Sequence, residues 1–320
     1  MTQTIEVLVQ RRQHEAEGII SLDLVPVTDT PLPPFTPGAH IDVHVPVVGL
    51  VRQYSLVNDP RETNRYVIAV QQDPNSRGGS VGVHQYMQAG QRLQISSPRN
   101  HFELVPAPRF MLIAGGIGIT PLLAMARHLS EQNLGFALHY VTRTRARMAF
   151  YESLQNSAFA DRVYLYHSAE AEGAEFNVEQ LLAWAQDDAH IYVCGPSSLI
   201  DTVVQQSAAA QIASERVHRE YFHNDTVAAE TDGPFHIRIA STGAEFLVEA
   251  DQRITQVLEA NGFFVPVSCE EGVCGTCLTG VLEGEVEHRD VYLTEEERAA
   301  NNQMALCCSR ARSSSLTLDL

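Results

Sequence analysis

The run Cys269-Glu-Glu-Gly-Val-Cys274-Gly-Thr-Cys277 spaces three thiols as C-x4-C-x2-C, the arrangement used by plant-type iron–sulfur centres. Closing a [2Fe–2S] site takes a fourth thiolate. Cys307 supplies one further along the chain, with Cys308 beside it as a competitor. Thiolates suit this chemistry because two irons need soft, anionic ligands. Gly272 and Gly275 let backbone N–H groups turn toward the sulfurs and tune their potential. A zinc knuckle or a disulfide set could use the same residue type. Zinc sites, however, pair one C-x2-C with a second close pair, and here the remaining ligand stands apart. A centre of this kind carries one electron at a time, so something upstream must load it.

The upstream glycines point to a dinucleotide. Residues 110–114 form a continuous apolar run, followed by Gly115-Gly116-Ile-Gly118-Ile-Thr120-Pro121 and then by helical apolar spacing over 122–130. This order predicts strand, glycine turn and helix, with Thr120 as N-cap and Pro121 as first helical residue. Glycines there let a pyrophosphate approach the turn and the helix N-terminus. Proline holds the last place, so the pattern is G-x-G-x-x-P rather than the Rossmann fingerprint, and a purely structural βα turn would look alike. Further strands are expected at 135–141, 162–167 and 191–194, the last running into Cys194-Gly195-Pro196-Ser197 and a helix over 199–210. Strands alternating with helices imply a parallel sheet that binds ligands at its strand C-terminal ends, where Cys194 stands. A lone cysteine is more often core than functional, and it is this position that singles Cys194 out.

The first hundred residues must position the partner of that dinucleotide. Alternating segments at 5–10, 41–48 and 66–72, broken by Pro, Gly and Asp, predict a small antiparallel barrel, with the proline-rich 31–38 stretch outside any central strand. In Arg52-Gln-Tyr54-Ser55-Leu56, alternation places Arg52, Tyr54 and Leu56 on one face and Ser55 on the other unless a bulge intervenes. The stretch Ser76-Arg77-Gly78-Gly79-Ser80 precedes an expected helix over 81–88, and such glycines could hold a flavin mononucleotide phosphate, although a turn with an N-cap serine would read similarly. Residues 93–95 end the barrel and 104–109 link it onward. After a polar linker at 225–234, residues 233–320 offer strands at 235–240 and 245–250, a helix at 254–260 stopped by Asn261-Gly262, and the cysteine loop. A hairpin, a helix and a metal loop fit a β-grasp ferredoxin.

Composition narrows the field. Of 320 residues, 44% are hydrophobic and 19% charged, ordinary for a soluble chain of two or three domains. The net charge of −17 argues against nucleic acid or an anionic membrane as partner. The 22 basic residues are all arginine, which excludes a P-loop lysine and a pyridoxal Schiff base. No secretory segment or membrane span is expected, and the cysteine usage fits a reducing cytoplasm. His40-x3-His44 lacks further ligands at metal spacing and reads as structural.

In their order along the chain, Arg52-x-Tyr54-Ser55-Leu56, Gly116-x-Gly118-x-x-Pro121, Cys194-Gly195-Pro196 and C-x4-C-x2-C…C resemble the family of phthalate dioxygenase reductase and the vanillate O-demethylase reductase component. The resemblance implies a multidomain chain: an antiparallel β-barrel FMN domain at 1–104, an α/β parallel-sheet NAD domain at 105–225, and an α+β β-grasp [2Fe–2S] ferredoxin domain at 233–320. It implies electron transfer from NADH through FMN and the cluster to a Rieske-type terminal oxygenase. A cytochrome P450 acceptor, or a redox sensor without turnover, is the alternative.

The resemblance also implies residue roles. Arg52, Tyr54, Ser55 and Leu56 contact flavin, while Gly79 and Ser80 hold its phosphate. Gly116, Gly118, Thr120, Arg143, Cys194 and Gly195 line the coenzyme path. Phe222, in His218-x-Glu220-Tyr221-Phe222, lies against the flavin ring. Ser55, Thr120, Cys194 and Phe222 stand nearest the chemistry. Cys269, Cys274, Cys277 and Cys307 ligate iron, Cys307 because Ser309-Arg310 completes the family's Cys-x-Ser-Arg. Where an NAD site usually places an acid, Arg143, Arg145 and Arg147 follow the second strand. The expectation is NADH.

Overall fold

The computed structural model describes residues 4–45, 48–74, 78–169, 176–185, 188–224 and 232–320. The chain divides into two compact units, Met1–Phe222 and His223–Leu320. The expected phosphate-loop residues Ser76 and Arg77 and most of the 225–234 linker lie outside the described residues.

The first unit opens with β1 (Thr4–Ala16), β2 (Ile19–Pro26), β3 (His40–Val45), β4 (Leu50–Ser55), β5 (Tyr66–Gln71), α1 (Gly79–Tyr86) and β6 (Arg92–Ser96). The strands form an antiparallel sheet in the order β4-β3-β6-β1-β2-β5. It curls closed where the chain leaving β4 meets β5: Leu56 bridges Ile68, and the Val57 N–H reaches the Val67 carbonyl at 2.8 Å. Alternation drives this, since Val7 and Val9, Leu22 and Leu24, and Ile41 and Val43 all point into one wholly buried core.

Next come β7 (Arg109–Gly115), α2 (Ile119–Glu131), β8 (Gly135–Thr142), α3 (Tyr151–Gln155), β9 (Val163–His167), α4 (Val178–Ala185), β10 (Ala189–Gly195), α5 (Ser197–Ala209) and β11 (Val217–Tyr221). All pairings in this sheet are parallel, in the order β11-β10-β7-β8-β9. Both faces are covered, which explains the continuous apolar run of β7. Phe110, Leu112 and Ala114 join the core under α2, while Met111 and Ile113 join the core under α4 and α5. The α2-side core also takes in Ala16, Ile19, Val57, Val67 and Phe102 of the barrel, so barrel and parallel sheet share packed interior.

One helix start differs from expectation. A single 3-10 turn, Gly116–Gly118, leads directly into α2, whose N-cap is Gly118 rather than Thr120. Thr120 lies inside the first turn and donates its hydroxyl to the Ile117 carbonyl at 3.0 Å. Pro121 is tolerated one turn in because the first N–H groups of a helix have no intrahelical acceptor. Likewise α1 begins at Gly79, two residues before the expected 81, with Gly78 as N-cap at φ 94°.

The second unit contains β12 (Phe235–Ile239), β13 (Glu245–Val248), α6 (Ile254–Ala260), β14 (Leu278–Glu283), β15 (Val286–Glu287), α7 (Glu295–Ala300), β16 (Gln303–Ala305), β17 (Arg310–Ala311) and β18 (Ser315–Leu318). A mixed sheet, β13-β12-β18-β14-β16, packs α6 over its own core of Ile237, Ile239, Leu258, Met304 and Leu318. Arg289 and Arg310, both buried, tie the start of the unit down. Arg289 holds the Asp232 carboxylate with both terminal nitrogens, and Arg310 donates to the carbonyls of Gly233, Glu249 and Gln252. No helix among the described residues is long and apolar enough to cross a membrane.

Candidate functional site

Three sites emerge, two in the first unit and one in the second. In the barrel, β4 pairs with β3 in unbroken register, Ile41 opposite Tyr54 and Val43 opposite Arg52. Arg52 and Tyr54 therefore share one face and Ser55 takes the other, opposite His40, since no bulge intervenes. Arg52 reaches the N-terminus of α1. A Cβ added to Gly79 would lie 2.7 Å from its Nε, so the absent side chain at 79 is what seats the guanidinium there. Ser80, one residue on, accepts a hydrogen bond from the Asp73 N–H at 3.0 Å. A guanidinium, a helix N-terminus and a glycine cradle together suit a phosphate. Tyr54 packs against the barrel core, and burial pushes its phenol well above the ordinary range. The Leu56 side chain is buried in the barrel interior. Burial pushes His40 down to about 4, while His44 of the same strand face is exposed.

The second site lies where the chain reverses direction across the parallel sheet. It adds β8 and β9 on one side of β7, then returns to place β10 and β11 on the other, which leaves a crevice beyond the C-terminal ends of β7 and β10. The crevice is lined by Gly115 to Gly118 and by Cys194 to Pro196, in contact too close for side chains. A Cβ on Gly118 would clash with the Cys194 carbonyl and lie 2.6 Å from the Gly195 nitrogen; one on Gly195 would lie 2.8 Å from the Gly115 Cα. Gly116, at φ 53°, has open space above it instead. This is a backbone cradle of the shape a dinucleotide diphosphate needs, with the α2 N-terminus at its floor. The Gly116–Gly118 turn also touches β5 of the barrel. Arg143 is exposed just past the end of β8.

Cys194 is fully buried, and burial together with the neighbouring Glu220 raises its thiol well above the ordinary range. Glu220 is its register partner on β11. Although the residue is partly exposed, its Oε2 is sealed from solvent with no hydrogen-bond partner among the described residues, and burial pushes the carboxyl up to about 8. In the sequence Glu220 stands out only as part of His218-x-Glu220-Tyr221-Phe222. The one available signal is an acid followed by two aromatic residues, Tyr221 and Phe222, at the end of a strand. His218, on the same strand face, stacks on Tyr192 at 4.3 Å and meets His190 at 3.0 Å. Phe222 packs against the core that holds Cys194, Tyr192 and Val57.

In the second unit the cysteine loop brings four thiols together. Cys269 lies within hydrogen-bonding reach of Cys274 and Cys307, and Cys307 of Cys277. These neighbours, with the N–H groups of Glu271 and Val273, hold the Cys269 thiol below its ordinary range. The Glu271 N–H points at Cys269 Sγ and the Thr276 N–H at Cys274 Sγ, each at 3.4 Å. Gly272 and Gly275 adopt φ 71° and 68°, turning the loop so that amides face sulfur. Gly272 passes so close to the chain at 290 that a Cβ would lie 2.9 Å from the Asp290 Cα, and Tyr292 covers Gly275. Cys308 lies against the back of Gly272 and within hydrogen-bonding reach of Cys307, but not of Cys269, among whose neighbours it is absent. No cysteine is in a disulfide.

Comparison with known proteins agrees with this geometry. Residues 237–312 match the 2Fe-2S iron-sulfur cluster binding domain, and residues 112–205 match the oxidoreductase NAD-binding domain. The chain is 46% identical over 317 residues to vanillate O-demethylase oxidoreductase of Pseudomonas sp. (strain HR199 / DSM 7063), covering 99% of this chain and 100% of that one. It superposes on the structure of phthalate dioxygenase reductase, described as modular for electron transfer from pyridine nucleotides to [2Fe–2S]. The TM-score is 0.77 at 38% identity, over 99% of this chain and 98% of that one. An intact type IV self-sufficient cytochrome P450 monooxygenase matches with a TM-score of 0.87 at 35% identity, over 99% of this chain but only 41% of that one.

Proposed function

The chain belongs to the family of vanillate O-demethylase oxidoreductase and phthalate dioxygenase reductase, and we propose on that footing that it is the reductase component of a Rieske-type oxygenase. It is an NADH-dependent iron–sulfur flavoprotein oxidoreductase. The observation that carries the reading is one chain holding both a diphosphate cradle at a sheet switch point and four converging thiols in a plant-type loop. A bound FMN would supply two-to-one electron conversion between the nicotinamide and the [2Fe–2S] centre.

The chain's own residues bind, orient and shield. Arg52 and the α1 N-terminus at Gly79 and Ser80 would hold the flavin phosphate, Tyr54 on the Arg52 face of β4 would contact the flavin, and Ser55 and Leu56 would complete the flavin site where the chain leaves β4. Gly116, Gly118, Thr120 and Gly195 let the dinucleotide backbone approach, and Arg143 adds positive charge at the β8 end. Cys194 and Glu220 form the floor on which the nicotinamide is oriented, with Glu220 protonated at neutral pH. Phe222, packed against the core that holds Cys194, would lie against the flavin ring. Cys269, Cys274, Cys277 and Cys307 ligate iron, and the loop amides set the potential. The domains run 1–104, 105–225 and 233–320, and the free thiols suit the cytoplasm.

A visible spectrum showing flavin and [2Fe–2S] bands, NADH-driven ferricyanide reduction, and NADH-driven turnover of the vanillate O-demethylase oxygenase component would together support the assignment. Activity with ferricyanide but none with that oxygenase, alongside coupling to a cytochrome P450 haem domain, would favour a second reading. The likeness to the P450 fusion motivates it.

A further inference from the structure

The arginines that follow β8 raise a question of coenzyme choice. In sheets of this type the ribose 2′ position of the adenosine sits beyond the end of the second strand, where an acid recognises the diol of NADH and an arginine accepts the 2′-phosphate of NADPH. Here Arg143, Arg145 and Arg147 occupy that stretch and no acid does. On charge alone the site would favour the extra phosphate.

The structure shows two of these cations already engaged. The Arg145 guanidinium lies over the Tyr151 ring, 4.3 Å from its centroid. Arg147 pairs with Glu17 at 3.3 Å, and Glu17 also donates its backbone N–H to the Ala146 carbonyl at 2.8 Å. Glu17 belongs to the β1–β2 turn, 130 positions away in sequence. The turn carrying both arginines is itself fixed. Thr142, buried, bonds the Thr144 carbonyl through its hydroxyl at 2.9 Å; Met148, also buried, donates to the Arg145 carbonyl at 3.0 Å.

We propose that Glu17 and Tyr151 are specificity-determining residues, which hold Arg147 and Arg145 against the barrel hairpin and α3 and so withhold them from a 2′-phosphate. Arg143, exposed past β8, is open to either coenzyme, but NADPH must break a contact to bring Arg145 or Arg147 onto its 2′-phosphate, whereas NADH, bound at its diphosphate by the glycine cradle, breaks neither. An exposed ion pair and a cation–π contact are each weak, so the expected discrimination is moderate rather than absolute. The inference rests on the assignment of the β8 end to the adenosine and goes beyond the oxidoreductase activity.

The test compares kcat/KM for NADH and NADPH, with ferricyanide as acceptor, in the wild type, Glu17→Gln, Tyr151→Leu and the double variant. Flavin absorbance and far-ultraviolet circular dichroism serve as checks on folding. The wild type should favour NADH. The double variant should raise kcat/KM for NADPH about tenfold with that for NADH within about twofold, and adding Arg145→Gln and Arg147→Gln should remove the gain. A double variant that folds but leaves the NADPH-to-NADH ratio unchanged overturns the proposal, as does a wild type equally efficient with both. Failure of the wild type to oxidise either coenzyme would instead overturn the oxidoreductase reading.

Discussion

Glu220 stands opposite Cys194 across neighbouring parallel strands, a sealed carboxyl beside a fully buried thiol at the mouth of the coenzyme crevice. Neither group is charged at neutral pH, because burial raises both. Two neutral groups leave this floor free of local charge when a nicotinamide approaches.

The pH dependence follows with a definite sign. The Glu220 carboxyl titrates at about 8 when folded against an ordinary value of 4.5, so the folded state keeps a proton that the unfolded state has lost. Stability from this group is full below about 4.5 and is lost as pH rises through about 8. Glu220→Gln imitates the protonated form. Its unfolding free energy relative to wild type should rise between pH 5 and 8, by on the order of a few kcal/mol in denaturant titrations. NADH reduction of the flavin should be little changed at pH 7, and the fall expected in wild type above pH 8 should be absent.

Gly79→Ala separates a cofactor effect from a folding effect. The new methyl meets the flexible Arg52 side chain and no backbone, so the barrel should fold while the guanidinium is displaced from the α1 N-terminus. FMN affinity measured by flavin fluorescence should drop about tenfold, the worth of one charge-assisted hydrogen bond. The iron–sulfur absorbance should be unaffected.

At Gly118, φ is −62°, which any residue adopts, so alanine is barred by space alone. Gly118→Ala drives Cβ into the Cys194 carbonyl and the Gly195 nitrogen, backbone against backbone, at a cost of about 1–3 kcal/mol. We expect a lower melting temperature and an NADH KM raised more than tenfold. Gly116→Ala meets open space and carries only the penalty of its positive φ, about 1 kcal/mol, so its KM should move less.

Much of this was legible in the chain. The apolar run of β7, its glycines and the cysteine spacing each express a local requirement, and local requirements are written in consecutive residues. What was missed depends on pairing between distant segments. Thr120 looked like an N-cap because a 3-10 turn ahead of α2 leaves no mark in composition. Glu220 gained meaning only from the β10–β11 register, and Arg147 only from Glu17 far upstream. In the second unit, β15 and β17 have two residues each, too few to show alternation. That β14 to β18 assemble around the cysteine loop comes from tertiary packing.

The central claim is a linear route from coenzyme to flavin to cluster, and anaerobic stopped-flow reduction of Cys274→Ser tests it most directly. Cys274 lies in the second unit, which has its own core, and the flavin and coenzyme residues lie in the first. The variant should lose the iron–sulfur absorbance and all transfer to an oxygenase, while NADH bleaches its flavin at a rate within about twofold of wild type. Cys308→Ala should lose neither. If the Cys274 variant keeps its fold and its flavin but NADH no longer reduces that flavin, the linear route is contradicted.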